Sequence, residues 1–224
     1  MRRYSYIIVA FIILIFGIIV VPRIVTRIQE ADRVDATRLS AEMPLAFIEL
    51  NGEAKRVPDF VFTNQDNRLI SNEDFLGKVY VVEFFFTTCP SICPIMNRNM
   101  VKIQDEFYGN PNLGMASFTI DPNTDTPEVL KDYATSYKIT NPNWHLLTGD
   151  KEKIYELANI GFNLFVGEDS EFEGGFEHSG FFALIDQEGF IRCRIDENEN
   201  PIIYYNGLED DGIQMIKEDI KLLL

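Results

Sequence analysis

The run Lys78-Val79-Tyr80-Val81-Val82-Glu83-Phe84-Phe85-Phe86 is nearly continuous in apolar, β-branched and aromatic residues. A half-exposed strand would alternate polar with apolar. So unbroken a run predicts a strand buried on both faces and central in a sheet. It leads through Thr87-Thr88-Cys89-Pro90-Ser91-Ile92-Cys93-Pro94 into residues 92–107, where Ile92, Met96, Met100, Ile103 and Phe107 recur at helical spacing. Two cysteines therefore lie where a central strand turns into a helix.

The alternation repeats downstream. Residues 114–120 read as a strand, and Thr126 followed by Pro127 opens a helix carrying Val129, Leu130 and Tyr133, with threonine as cap and proline in the first turn. Residues 144–147 predict a short strand, after which Asp150 caps a helix running to residue 160. Residues 181–185 and 190–195 form a pair of strands across Asp186-Gln187-Glu188-Gly189, a hairpin turn by composition. A final helix over 211–224 shows Ile213, Ile216, Ile220 and Leu223 on one face. Helical crossovers with a closing hairpin predict an α/β fold, a mixed sheet flanked by helices on both faces.

The chain has 224 residues, 46% of them hydrophobic, enough for one ordinary domain once a membrane segment is set aside. Residues 4–21 are an uncharged run just long enough to span a bilayer, bounded by Arg2 and Arg3 before and Arg23 and Arg27 after. No small-x-small cleavage site and no cysteine follows it, so the expectation is an uncleaved N-terminal transmembrane helix. The chain divides on this basis into a membrane anchor (1–22), a polar tether (23–43) and a globular domain (44–224). The similar arginine content of the two flanks leaves the orientation unset. From residue 41 onward the net charge is −18, which argues against nucleic acid as a partner, because phosphate binding needs a basic surface.

Cys89 and Cys93 stand at i and i+4 on entry to a helix, a spacing that lets two sulfurs chelate one metal or close a disulfide. A helix N-terminus is expected to lower a thiol pKa and favour the thiolate that either chemistry needs. Two thiolates favour Cu(I), with zinc as the rival. A structural zinc site wants four protein ligands, and the chain holds three cysteines and two histidines with no second short pair. Two buried small residues with no task are the third reading of the pair. His178, in Gly174-Gly175-Phe176-Glu177-His178-Ser179-Gly180, lies in a glycine-rich loop before a buried strand, where imidazole could be aimed at the helix start. Read alone, a loop histidine is by default solvated.

Four segments in order resemble the Sco/SenC family: Phe84-Phe85-Phe86-Thr87-Thr88-Cys89-Pro90-Ser91-Ile92-Cys93-Pro94, Thr119-Ile120-Asp121-Pro122-Asn123-Thr124-Asp125-Thr126-Pro127, Trp144-His145-Leu146-Leu147-Thr148-Gly149 and His178-Ser179-Gly180-Phe181-Phe182-Ala183-Leu184-Ile185-Asp186. The resemblance implies a thioredoxin-like fold and a membrane-anchored copper chaperone for cytochrome c oxidase assembly. It further implies that Cys89, Cys93 and His178 hold one copper ion, Cu(I) or Cu(II), destined for the copper subunit of the oxidase. The lack of an Arg-rich, Ser-rich presequence points to a bacterial inner membrane, with the globular domain on the periplasmic side.

The alternative is an enzyme, a thiol-disulfide reductase acting on the client's cysteines, with His178 dispensable. No proline stands between residues 172 and 181, where thioredoxin enzymes usually carry one in cis, and this favours binding over exchange. A peroxiredoxin-like peroxidase has less support. Among the other residues, Asp121 reads as a turn residue or a support for a ligand, Asp125 as ordering its turn and the next helix, His145 as a strand residue, and Cys193 as a small buried side chain. The segment 62–68 lacks the family's glycine, which makes a hairpin turn there less secure.

Overall fold

The structure, a computed structural model, comprises residues 45–224 apart from residues 51, 169–175, 197 and 199 and the side chains of Glu177 and His178. The expected anchor and tether lie outside the described residues. Among the described residues no helix is long and apolar enough to cross a membrane. The main elements are β1 (Ala46–Phe47), β2 (Val61–Asn64), β3 (Leu69–Ser71), β4 (Val79–Phe85), α1 (Cys93–Glu106), β5 (Leu113–Thr119), α2 (Pro127–Ser136), β6 (Trp144–Thr148), α3 (Lys151–Glu156), β7 (Val166–Glu168), β8 (Phe176–His178), β9 (Phe181–Ile185), β10 (Ile191–Ile195) and α4 (Asp210–Leu223).

The main sheet runs β1-β10-β9-β4-β5-β6-β2-β3. Strands β4, β5 and β6 are parallel and are joined by helices, while β9 returns antiparallel to β4 and β2 lies antiparallel to β6. This is the mixed α/β sheet read from the sequence. All residues of β4 and β5 are buried. Alternation along β4 sends Phe84 against Phe118 and Phe162 on one face, with ring centroids 5.5 and 5.7 Å away, and Phe85 against Tyr133 of α2 on the other, at 5.4 Å. The β4–β5 register ends at Phe85 opposite Thr119, so the turn after each strand emerges at the same edge of the core.

Local signals account for most element ends. Thr126 caps α2 by accepting from the Val129 N–H, and Asp150 caps α3 by accepting from the Lys153 N–H at 3.0 Å. The β2–β3 hairpin forms without a glycine because Asn67 takes the left-handed conformation at φ 58°, which asparagine tolerates. The helix expected to run to residue 160 is regular only to Glu156. It continues as a π-helical turn over Leu157–Phe162 and stops where Asn163 is left-handed at φ 53°.

Helix α4 is fastened to β10 by buried charge. Arg194 donates from Nε to both carboxylate oxygens of Asp219, at 3.0 and 2.7 Å, and from Nη2 to Glu218 at 2.7 Å. The Tyr205 hydroxyl donates to Asp219 at 2.6 Å. Cys193, beside this cluster in β10, is buried in the strand as expected of a small apolar residue.

Candidate metal centre

The first helical residue of α1 is Cys93, and Cys89 stands in the turn before it, not on the helix. The expected one-turn separation along a helix is therefore replaced by a turn that folds back on the helix start. Pro90 disfavours helical backbone at Cys89, which explains the difference. The Cys93 N–H donates to Cys89 Sγ at 3.4 Å, so this sulfur takes the role of a cap that Ile92, the residue at the N-cap position, has no side-chain oxygen to fill. Cys89 is 7% exposed and Cys93 is fully buried. Both are thiols, and their side chains are hydrogen-bonded.

The expected lowering of the thiol pKa is corrected at Cys93. Burial pushes this thiol well above its ordinary range, the hydrogen bond and charge of Cys89 push the same way, and the backbone bond from Phe86 opposes them. Desolvation outweighs the helix N-terminus because Cys93 lies inside the wall of the core, not at its surface.

The turn before Cys89 is tied down by Asp125. Its carboxylate, fully buried, accepts the Thr87 N–H at 3.1 Å, the Thr87 hydroxyl and, from β5, the Thr119 hydroxyl. The sequence placed Asp125 in its own turn, and that part holds, since its N–H donates to the Asp121 carbonyl at 2.9 Å. Its side chain, however, crosses to the cysteine loop. Burial pushes the Asp125 carboxyl up, against the threonine bonds that pull it down. Replacing Asp125 with alanine strands the buried Thr119 hydroxyl and two half-buried donors of Thr87, and the expected loss is about 2–4 kcal/mol in urea unfolding, with a smaller loss for Asp125→Asn. Unchanged unfolding in both variants would show that the clamp carries no weight.

Behind the pair, Glu83 of β4 is fully buried. It accepts from the Ser117 hydroxyl at 2.7 Å, and Ser117 accepts in turn from Trp144 Nε1 at 2.9 Å. Glu83 Oε2 and Asn97 Oδ1 are buried without a hydrogen-bond partner among the described residues. Asn97 donates to the Cys93 carbonyl and to the Tyr133 hydroxyl, both at 3.0 Å. A charged residue inside the run 78–86 was the visible sign of this network in the sequence.

His178 is the last residue of β8, not part of a loop, and pairs with Val166 of β7. Its side chain lies outside the described residues, as do Gly174 and Gly175. Two residues earlier, Phe176 packs on Phe86, centroids 5.1 Å apart, which joins β8 to the end of the cysteine-bearing strand. Among the described residues no three His, Cys, Asp or Glu side chains are grouped to hold a metal ion. The donor set present there is the cysteine pair, whose softness suits Cu(I). His145 sits in β6, with Nδ1 3.2 Å from Asn64 Nδ2 and its ring edge-on to Phe75, as a packed strand residue. Asp121 is buried at the turn after β5, its N–H donating to Thr119 Oγ1 at 3.1 Å.

A central parallel strand that turns through a cysteine pair into a helix, backed by an antiparallel hairpin, defines a thioredoxin-like protein with a dithiol site. The chain belongs to the SCO1/SenC family, whose model matches residues 49–210. It is similar to the SCO1 protein homolog of Bacillus subtilis (strain 168), 32% identical over 167 residues, which cover 74% of this chain and 81% of that one. The putative copper-binding protein of Stutzerimonas stutzeri is 28% identical over 144 residues, 63% of this chain and 69% of that one. A solved structure of BsSco, described as a member of the Sco family of cytochrome c oxidase assembly proteins in which a disulfide switch was identified, has a TM-score of 0.65 at 30% identity. The match covers 80% of this chain and 96% of that chain.

Proposed function

We propose that this protein is a copper metallochaperone: Cys89, Cys93 and His178 hold one copper ion, Cu(I) or Cu(II), and deliver it to the copper subunit of cytochrome c oxidase. The observation that carries this is the hydrogen-bonded thiol pair at the start of α1, with β8 packed against the strand that bears it through Phe176 and Phe86. The name of the Stutzerimonas relative supports the cargo, and the description of BsSco as a member of a family of cytochrome c oxidase assembly proteins supports the client. Two thiolates and one imidazole leave copper coordinatively open, so a client thiolate or imidazole can enter and take the ion by ligand exchange. Residues 1–22 would hold the domain at a bacterial inner membrane on the periplasmic side, beside a membrane-bound client.

A thiol-disulfide reductase is the second reading, favoured by the same pair of thiols and by the disulfide switch of BsSco. Anaerobic Cu(I) loading separates the two. The expected result is one copper per chain in the wild type, with loss of more than about a hundredfold in affinity for Cys89→Ser, Cys93→Ser and His178→Ala, since even the outer partners of a ligand are worth 10–100-fold. Tight copper after loss of either cysteine refutes the site. Negligible copper in the wild type, with rapid reduction of a client disulfide, gives the reductase.

A further inference from the structure

His178 does not belong to the main sheet. It ends β8, which pairs with β7 in a separate two-stranded sheet. A lone pair of three-residue strands has little stability of its own, so contacts outside the hairpin must fix where His178 stands. Among the described residues they come from Phe86, on which Phe176 packs, and from α3 with its π-helical turn.

Asn159, within the π-helical turn, grips β7 by both arms of its amide. Its Nδ2 donates to the Val166 carbonyl and its Oδ1 accepts the Val166 N–H, each at 3.0 Å. The amide thus acts as a further strand partner for Val166, the residue directly opposite His178. Lys151 holds the other end of the hairpin. Its ammonium pairs with Glu168 and lies 5.8 Å from the ring centre of Phe176, the residue opposite Glu168, and 5.3 Å from that of Tyr155. Lys151 is the first residue of α3, where the helix dipole disfavours a cation, so these tertiary contacts are what accounts for it there. The Tyr155 hydroxyl donates to the Ile120 carbonyl at 3.1 Å and ties the same helix to the end of β5.

We infer that Asn159 and Lys151 are positioning residues for His178, and that the segment 151–162 is the mount that fixes the strand bearing this histidine. The inference rests on His178 being a copper ligand. A ligand held in place before the metal arrives loses little freedom on binding, so the mount should act on copper affinity through His178 and not through the cysteines.

The test is Cu(I) affinity by competition with a chelator, together with the nitrogen hyperfine signal of the Cu(II) form, on the folded protein. Asn159→Ala should lower affinity about tenfold and weaken the nitrogen signal. Lys151→Met should lower affinity less, and Lys151→Arg, which keeps the charge, should restore it. In a His178→Ala background neither Asn159→Ala nor Lys151→Met should lower affinity further. Asn159→Asp keeps the acceptor for the Val166 N–H and serves, with Lys151→Met, if Asn159→Ala does not fold. Equal losses with and without His178, or full affinity in Asn159→Ala, would overturn the mount. Wild-type affinity in His178→Ala alone would remove the ligand itself, a failure distinct from the first.

Discussion

Glu83→Gln is expected to stabilise the domain by about 3 kcal/mol above pH 7 and to leave it little changed near pH 5. Burial pushes the Glu83 carboxyl up to about 7 from an ordinary 4.5, with the Ser117 hydrogen bond pulling weakly the other way. The folded state therefore keeps the proton over a range where the unfolded chain has lost it. Its contribution is fully present below the unfolded value of 4.5 and is lost as pH rises through about 7. The orphaned Oε2 points the same way by geometry, because a buried carboxylate oxygen with no donor to accept from has lost its hydration without replacement, which disfavours the charged form. Glutamine keeps an acceptor for Ser117 and carries no charge at any pH. Urea unfolding of both proteins between about pH 5 and pH 8 measures this, and parallel stability curves would show that Glu83 does not change charge in that range.

The largest loss from a single substitution is expected at Asp219. Alanine there leaves the guanidinium of Arg194 buried with Glu218 as its remaining carboxylate and takes the acceptor from Tyr205. Removing one partner of a buried pair costs about 3–5 kcal/mol. Replacing both, as Arg194→Met with Asp219→Leu, should recover part of that loss, because the buried guanidinium goes with its partner while Glu218 loses its cation and Tyr205 its acceptor. The comparison is the urea midpoint of the single and double variants. A double variant as weak as the single would mean that α4 is held by the ion pair itself and not by apolar packing of Ile213, Ile216 and Ile220, all of them buried.

The two predictions fall on residues that the sequence treats differently. Glu83 is the one acidic side chain in a run of apolar residues, a signal the sequence reading passed over, and nothing local says which groups surround it. Arg194 and Asp219 lie 25 residues apart in different elements, and no spacing rule links them. The same contrast holds at the site. The cysteine pair and its position between strand and helix were legible because both depend on short-range patterns. Asp125 was read as a turn residue, but a second role came from the β4–β5 register, which brings Thr87 and Thr119 to one carboxylate. Asn159 gave no signal at all, since its partner is backbone and carries no side-chain signature.

Periodicity, caps and turn residues by themselves determined the order of strands and helices, the mixed sheet and the place of Cys89 and Cys93, since each follows from neighbours within a few residues. Tertiary structure alone decided the state of those residues. It buried Cys93 and thereby raised its thiol pKa where the helix end predicted the reverse, and it placed His178 on a small hairpin braced by Asn159 and Lys151. Solvation and long-range contact set these properties, and both depend on what the fold brings against a residue, not on what lies beside it in the chain.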